Sequence, residues 1–223
     1  MGPEGAPRYP SGRMLLVTRP QPDADAEVLA LRARGVAAVS APCLCFTAIP
    51  AVPVAVHALH SGSADLLVTS PRAAEFLLSP SPLWRILAVA PKTAHILLAR
   101  GLSPAMTTTR GGGALATLAR PGPVVLATSN LGGEEVLRVR PDAVIWPLYR
   151  TCCPDALPED AIAALQAPFD VWFTSPSTIA NFDRLAPGAL TRAREIFWSG
   201  DTTRTALATR IDGPVTHRPR AYG

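Results

Sequence analysis

The segment Asp65-Leu66-Leu67-Val68-Thr69-Ser70-Pro71 returns later in the chain as Asp170-Val171-Trp172-Phe173-Thr174-Ser175-Pro176. In each copy a short apolar run ends in Thr-Ser-Pro and gives way to a helical stretch. Serine is favoured at a helix N-cap because its oxygen accepts a backbone N–H from the first turn. Proline fits the first helical position, where no hydrogen-bond donor is missed. Both copies therefore predict strand, sharp turn and helix, with hydroxyls at the positive end of the helix dipole, where anions bind. Two such units constrain the chain to two similar α/β halves with anion-binding edges.

A second pair of segments extends the duplication. Ile86-Leu87-Ala88-Val89-Ala90-Pro91-Lys92-Thr93-Ala94 corresponds to Ile196-Phe197-Trp198-Ser199-Gly200-Asp201-Thr202-Thr203-Arg204. Each is a short buried-type strand, a turn, and a hydroxyl residue near a helix start. Any one of these hydroxyls can be read as a simple helix cap. Two matched pairs in the same order point to duplication.

Composition narrows the function classes. The chain has 223 residues, enough for one large or two small domains with a real core, and 48% of it is hydrophobic, which argues against extended disorder. No apolar run approaches the roughly 18 residues that open a membrane span. The first residues, Met1 to Arg13, lack the apolar stretch of a secretory signal and read as a loose tail, so a cytoplasmic protein is expected. The net charge of +4 comes from scattered basic residues. Nucleic-acid binding is not expected without a concentrated basic stripe, whereas a mild positive excess suits a small polyanion steered to a binding edge.

The cysteines occur as Cys43-x-Cys45 and Cys152-Cys153. Neither pattern has zinc or thioredoxin-type spacing, and His57, His60, His95 and His217 show no ligand spacing, so no metal is expected. Along the chain, strands are predicted at Met14–Val17, Val36–Val39, Leu66–Thr69, Ile86–Val89, Pro123–Ala127 and Val144–Tyr149. Helices are predicted at Pro22–Arg34, Val54–Leu59, Ala73–Leu78, Thr93–Arg100, Ala114–Ala119 and Gly133–Arg138. Pro147 argues for a sheet edge. The run Gly111-Gly112-Gly113 lacks the Lys-Ser/Thr ending of a P-loop and reads as a flexible helix entry. Strands alternating with helices at this spacing mean parallel sheets flanked by helices.

From Leu15 to Leu207 the ordered motifs are Val17-Thr18-Arg19-Pro20, Thr69-Ser70-Pro71-Arg72-Ala73, Thr93-Ala94, Ser129-Asn130-Leu131, Leu148-Tyr149-Arg150-Thr151, Thr174-Ser175-Pro176-Ser177 and Gly200-x-Thr202-Thr203. Together they resemble the uroporphyrinogen-III synthase family. The resemblance implies two α/β domains joined by two linker strands, with a cleft between them. One domain would comprise 14–43 plus 154–223 and the other 44–153, after a tail of 1–13. The chain would then cross between domains near Pro42 to Phe46 and near Tyr149 to Pro154. That places Cys43/Cys45 and Cys152/Cys153 in the two linkers, where oxidation would restrict domain closure.

The implied substrate is hydroxymethylbilane, an open tetrapyrrole with many carboxylates, and no cofactor is implied. The implied reaction is loss of the ring A hydroxyl, attack by ring D through its substituted carbon, and closure with ring D inverted. Orientation supplies most of the catalysis. Tyr149 matches the family's tyrosine and would donate a hydrogen bond or proton to the departing hydroxyl; with a reference pKa near ~10 it is a donor at neutral pH. Thr203 would help to orient that group. Ser70, Arg72, Thr93, Ser175, Ser177 and Thr202 would bind carboxylates, with Thr18, Arg19 and Thr69 beside them. A monomer is expected, in transient contact with the preceding deaminase at most. The alternative is a tetrapyrrole- or polyanion-binding regulatory protein of the same fold without turnover.

Departures from the family pattern are Ala90 in place of a glycine, Asp201 near a proposed anion pocket, and Gly132-Gly133-Glu134-Glu135 where a basic residue is often found. The chain also stops soon after Arg220 without the family's last helix.

Overall fold

The computed structural model describes residues 13–210 and 217–219. The chain begins with β1 (Met14–Val17), α1 (Asp23–Ala33), β2 (Ala38–Ser40) and β3 (Cys45–Ala48). It continues through α2 (Val54–Ala58), β4 (Asp65–Val68), α3 (Pro71–Phe76), β5 (Arg85–Val89), α4 (Pro91–Ala99) and β6 (Met106–Thr108). Next come α5 (Gly112–Thr117), β7 (Val124–Ser129), α6 (Glu134–Val139), β8 (Val144–Cys152) and α7 (Glu159–Ala164). The last elements are β9 (Phe169–Phe173), α8 (Pro176–Leu185), a 3-10 turn (Leu190–Arg192), β10 (Ile196–Trp198), α9 (Asp201–Ala208) and β11 (His217–Pro219). Among the described residues no helix is long and apolar enough to cross a membrane.

Two compact units result, one of Met1–Cys45 with Cys152–Gly223 and one of Phe46–Thr151. The first is built on a sheet of order β11-β10-β9-β1-β2 in which every pairing is parallel. The second has the order β3-β8-β7-β4-β5-β6, parallel from β8 through β6.

Strand side chains alternate between faces, and here both faces are buried. In the first unit Leu16, Val171 and Phe173 enter one apolar cluster, while Leu15, Val17 and Trp172 enter the other. In the second unit Leu66, Val68, Val125 and Ala127 face one cluster, and Leu67, Val124 and Leu126 the opposite one. Continuous apolar strands with helices on both sides follow from that double burial.

Expected and observed elements differ in instructive places. The second strand starts at Ala38 rather than Val36, because Gly35 (φ 80°) and Val36 donate back to the Arg32 and Leu31 carbonyls and close α1. Pro147 does not mark an edge: β8 lies between β3 and β7. Pairing with β7 steps from Thr128–Pro147 to Ser129–Tyr149, so a bulge accommodates the residue that has no N–H to give. On the other side the Leu148 carbonyl accepts the Ile49 N–H at 2.8 Å. The expected tail of 1–13 falls outside the described residues except for Arg13, which pairs with Glu195 at 3.4 Å. The expected lack of a last helix also concerns residues outside those described.

The aspartate that opens each copy of the repeat is buried and pins neighbouring chain. Asp170 accepts the Glu195 N–H at 2.9 Å. Asp65, 2% exposed, takes Arg85 at 2.6 Å, Arg120 at 2.9 Å and the Arg120 N–H at 2.7 Å. Burial works against its charge, but the bonds from Arg85 and Arg120 outweigh burial and hold the carboxyl below the ordinary carboxylate range. A carboxylate depressed in the folded state adds stability above its unfolded pKa, near ~3.9, and that stability is lost as pH falls towards the folded value. Asp65→Asn is expected to cost about 2–4 kcal/mol in urea unfolding near neutral pH. The difference from the parent should shrink as the pH is lowered below ~4; a constant difference down that range would contradict the assignment.

Candidate active site

All strands of a parallel sheet end on one side, and ligands of such sheets gather there, where the winding reverses. In the first unit the reversal lies between β1 and β9, and in the second between β4 and β7. The Thr-Ser-Pro corners follow β9 and β4, so each stands beside a reversal point. The two corners also match in backbone: Ser70 caps α3 at φ −152°, ψ 156°, and Ser175 caps α8 at φ −160°, ψ 159°. Ser70 Oγ accepts the Ala73 N–H at 3.0 Å, and Ser175 forms a reciprocal capping box with Thr178. Ser177 lies 3.2 Å from Ser175, hydroxyl to hydroxyl.

The second pair of corners matches as well. Ala90 precedes α4 at φ 65°, ψ 148°, and Gly200 precedes α9 at φ 83°, ψ 148°. The third helical residue is buried in both, as Thr93 and Thr203. The Thr93 hydroxyl has no hydrogen-bond partner although it is fully buried. Thr202 is exposed beside Thr203.

The second unit carries a cavity of about 570 Å³ at its reversal point. Thr69 and Ser70 line it from the end of β4, Thr128 from β7 and Tyr149 from β8, with Gly111 and Glu135 opposite. Tyr149 is nearly buried, its ring stacked on Phe76 at 5.4 Å and edge-on to Phe46 at 5.6 Å. Aromatic contacts on two sides fix the ring direction. Glu135 Oε2 accepts the Gly112 N–H at 3.2 Å, so a side-chain carboxylate occupies the start of α5. With Glu134 also on the wall and no basic residue among its lining, the cavity is acidic.

Of the residues singled out from sequence, the structure brings Thr69, Ser70 and Tyr149 into this cavity. Arg72 and Thr93 belong to the same unit but do not line it. The Arg72 guanidinium bonds Glu75 and stands 4.4 Å over the Phe46 ring. Thr18, Arg19, Ser175, Ser177, Thr202 and Thr203 all follow strands of the first unit's sheet. There the Thr18 hydroxyl donates to the Trp172 carbonyl at 2.7 Å, and Arg19 pairs with Glu27 at 2.9 Å. A separate cavity of about 470 Å³ between α1, β2 and α7 holds none of these residues. Sequence reasoning missed Thr128 and Glu135 as cavity residues, and treated the Gly111 turn only as a flexible entry. The signal was present for Gly111, whose φ of 87° favours glycine at the mouth of a helix.

The architecture defines a two-unit, doubly wound α/β protein whose functional edges carry hydroxyl-capped helix starts. The family model described as uroporphyrinogen-III synthase HemD matches residues 25–212, and the chain belongs to that family. Its fold is similar to uroporphyrinogen-III synthetase from Helicobacter pylori, with TM-score 0.61 and 17% identity over 89% of each chain. It is also similar to a mutant uroporphyrinogen III synthase from Thermus thermophilus, with TM-score 0.54 and 17% identity over 88% of each chain. No curated protein matches the chain.

Ala90 holds a backbone conformation that is essentially reserved for glycine, at a cost of about 1–3 kcal/mol. Ala90→Gly is therefore expected to raise stability by about 1 kcal/mol after the entropy of the added glycine is counted. Thermal unfolding measures it, and a lowered midpoint would show that Ala90 is not strained.

Proposed function

We propose that Tyr149 donates to the departing hydroxyl of hydroxymethylbilane within the acidic cavity of the second unit, while hydroxyl-capped helix starts take up carboxylate arms. The family's activity is that of a cyclising lyase of heme biosynthesis, closing the tetrapyrrole to uroporphyrinogen III with ring D inverted and water lost. The observation that carries the assignment of roles is the convergence of Thr69, Ser70 and Tyr149 on one cavity at the sheet's reversal point.

Two kinds of environment then divide the work. Ser70, Ser175, Ser177, Thr202 and Thr203 sit at helix starts, where backbone N–H groups and cap oxygens accept anions without one arginine per carboxylate. Thr93 belongs with them, since its buried hydroxyl lacks a partner. Thr18, Arg19 and Arg72 engage the Trp172 carbonyl, Glu27 and Glu75, and they are assigned an auxiliary part in carboxylate binding. The cavity wall of Glu134 and Glu135 disfavours a carboxylate arm and favours the cation left on ring A when the hydroxyl departs. The chain works as a cytoplasmic monomer that takes its substrate from the preceding deaminase.

Supplying porphobilinogen and its deaminase and resolving the uroporphyrin isomers tests the activity. Isomer III is expected, and isomer I alone, which forms without a second enzyme, would leave a binding protein. Tyr149→Phe keeps the stacked ring and removes only the donor. It is expected to lower kcat about 10–100-fold with KM changed less than about threefold. Unchanged kcat would remove Tyr149 from the chemistry.

A further inference from the structure

We infer that Cys45 and Cys152 form a reversible disulfide under oxidising conditions, closing a covalent ring around the second unit. The chain leaves the first unit after Cys45 and returns to it at Cys152. These residues open β3 and end β8, which are hydrogen-bonded neighbours in one sheet. Ile49 N–H meets Leu148 O at 2.8 Å. Four residues back along β3 and four forward along β8 stand Cys45 and Cys152, close enough for Cys152 to act on the Cys45 thiol. The Ile49–Leu148 bond and this proximity fit an antiparallel register that sets the two cysteines opposite each other. Opposed residues in such a pair have Cα atoms about 4.5–5.5 Å apart, inside the ~4.4–6.8 Å that a disulfide spans.

The other two cysteines do not compete. The Cys43 thiol is fully buried and donates to the Ala41 carbonyl at 3.3 Å. Burial, with Cys153 nearby, pushes that thiol far above the ordinary range, so it does not become a nucleophile. Cys153 adjoins Cys152 in the chain, and sequence neighbours rarely bridge. Among the described residues no group of three or more His, Cys, Asp or Glu side chains is placed to hold a metal ion, so the chemistry open to this cluster is that of thiols. Cys45 and Cys152 are both only partly buried and open to a small oxidant. Burial, then Cys152 alongside, raises the Cys45 thiol.

Hydrogen peroxide is such an oxidant. One Sγ–H is converted to the sulfenic acid with release of water. The second Sγ then displaces the hydroxyl as a further water and forms the S–S bond. Each thiol loses one proton and one electron, and the peroxide oxygens are reduced. A dithiol returns both sulfurs to Sγ–H. The ring excludes most open conformations of the second unit once it unfolds, the usual source of disulfide stabilisation for a long loop. Reversible use of this kind is how thiols pair in a reducing compartment.

The test uses the full chain, oxidised with a small excess of hydrogen peroxide, alkylated and digested. Mass mapping is expected to find Cys45 joined to Cys152, and the thiol titre to fall by two per chain. The thermal midpoint should rise by about 5 °C and fall back on adding dithiothreitol. Cys45→Ser and Cys152→Ser should each lose the crosslink and the shift, whereas Cys153→Ser should keep both. Free thiols at 45 and 152 after oxidation, a bridge to another cysteine, or a crosslink without a rise in midpoint would each overturn the inference. None of these readouts depends on turnover, so a catalytic failure would leave it standing.

Discussion

Burial of both faces of each parallel sheet is the constraint from which the remaining features follow. A strand such as Leu66-Leu67-Val68 sends alternate side chains into two apolar clusters. Helices must therefore cover both faces, and the crossovers that carry them run in one sense. Every strand then delivers its following turn to the same side of the sheet. Chemistry collects on that side because the covered faces leave no other place for exposed backbone. The cavity beside Thr69, Ser70, Thr128 and Tyr149 lies where the winding reverses and adjacent turns separate at the sheet's end.

The duplication survives in geometry more fully than in sequence. Ser70 and Ser175 share one backbone conformation, and Ala90 and Gly200 share another that suits glycine alone. An alanine that retains a glycine conformation shows that the corner is held by its surroundings: Ala90 N–H bonds the Thr108 carbonyl at 2.7 Å, and Thr93 N–H turns back to Ala90. The sheet and helix on either side outweigh one strained residue. Asp65 and Asp170 repeat the same logic at the opposite ends of their strands, each buried and each anchoring chain from a neighbouring strand or loop.

Much of this was legible in the chain because it is written in local rules. Strand, Thr-Ser-Pro turn and helix follow from capping chemistry, and the alternation of elements follows from apolar spacing. The family's motifs supplied Tyr149, whose packing between Phe76 and Phe46 no spacing rule reveals. What stayed hidden depends on partners distant in sequence. Pro147 reads as an edge residue until the pairing of β8 with β7 shows the bulge at Leu148 beside it. Met106–Thr108 and His217–Pro219 are too short to announce themselves without the strands they join. Glu135 reads only as an acid where the family pattern often has a base, and the fold shows it at the start of α5, lining the cavity.

An acidic cavity in a protein whose substrate is a polyacid is at first sight a mismatch, and the topology resolves it. Helix starts present N–H groups and hydroxyls whose charge is partial and fixed, so they hold carboxylates at the corners with little desolvation of full charges. The start of α5 is already occupied by Glu135, and a second carboxylate there would meet repulsion rather than a donor. On the proposed assignment of roles, the second unit would sort the substrate by position, with a carboxylate arm at the Ser70 corner and ring A, as it turns cationic, beside Tyr149. On the same assignment, the Ser70 corner and the Glu134 and Glu135 side of the cavity would orient the reacting ring between them, which fits a reaction whose difficulty lies in orientation more than in bond making.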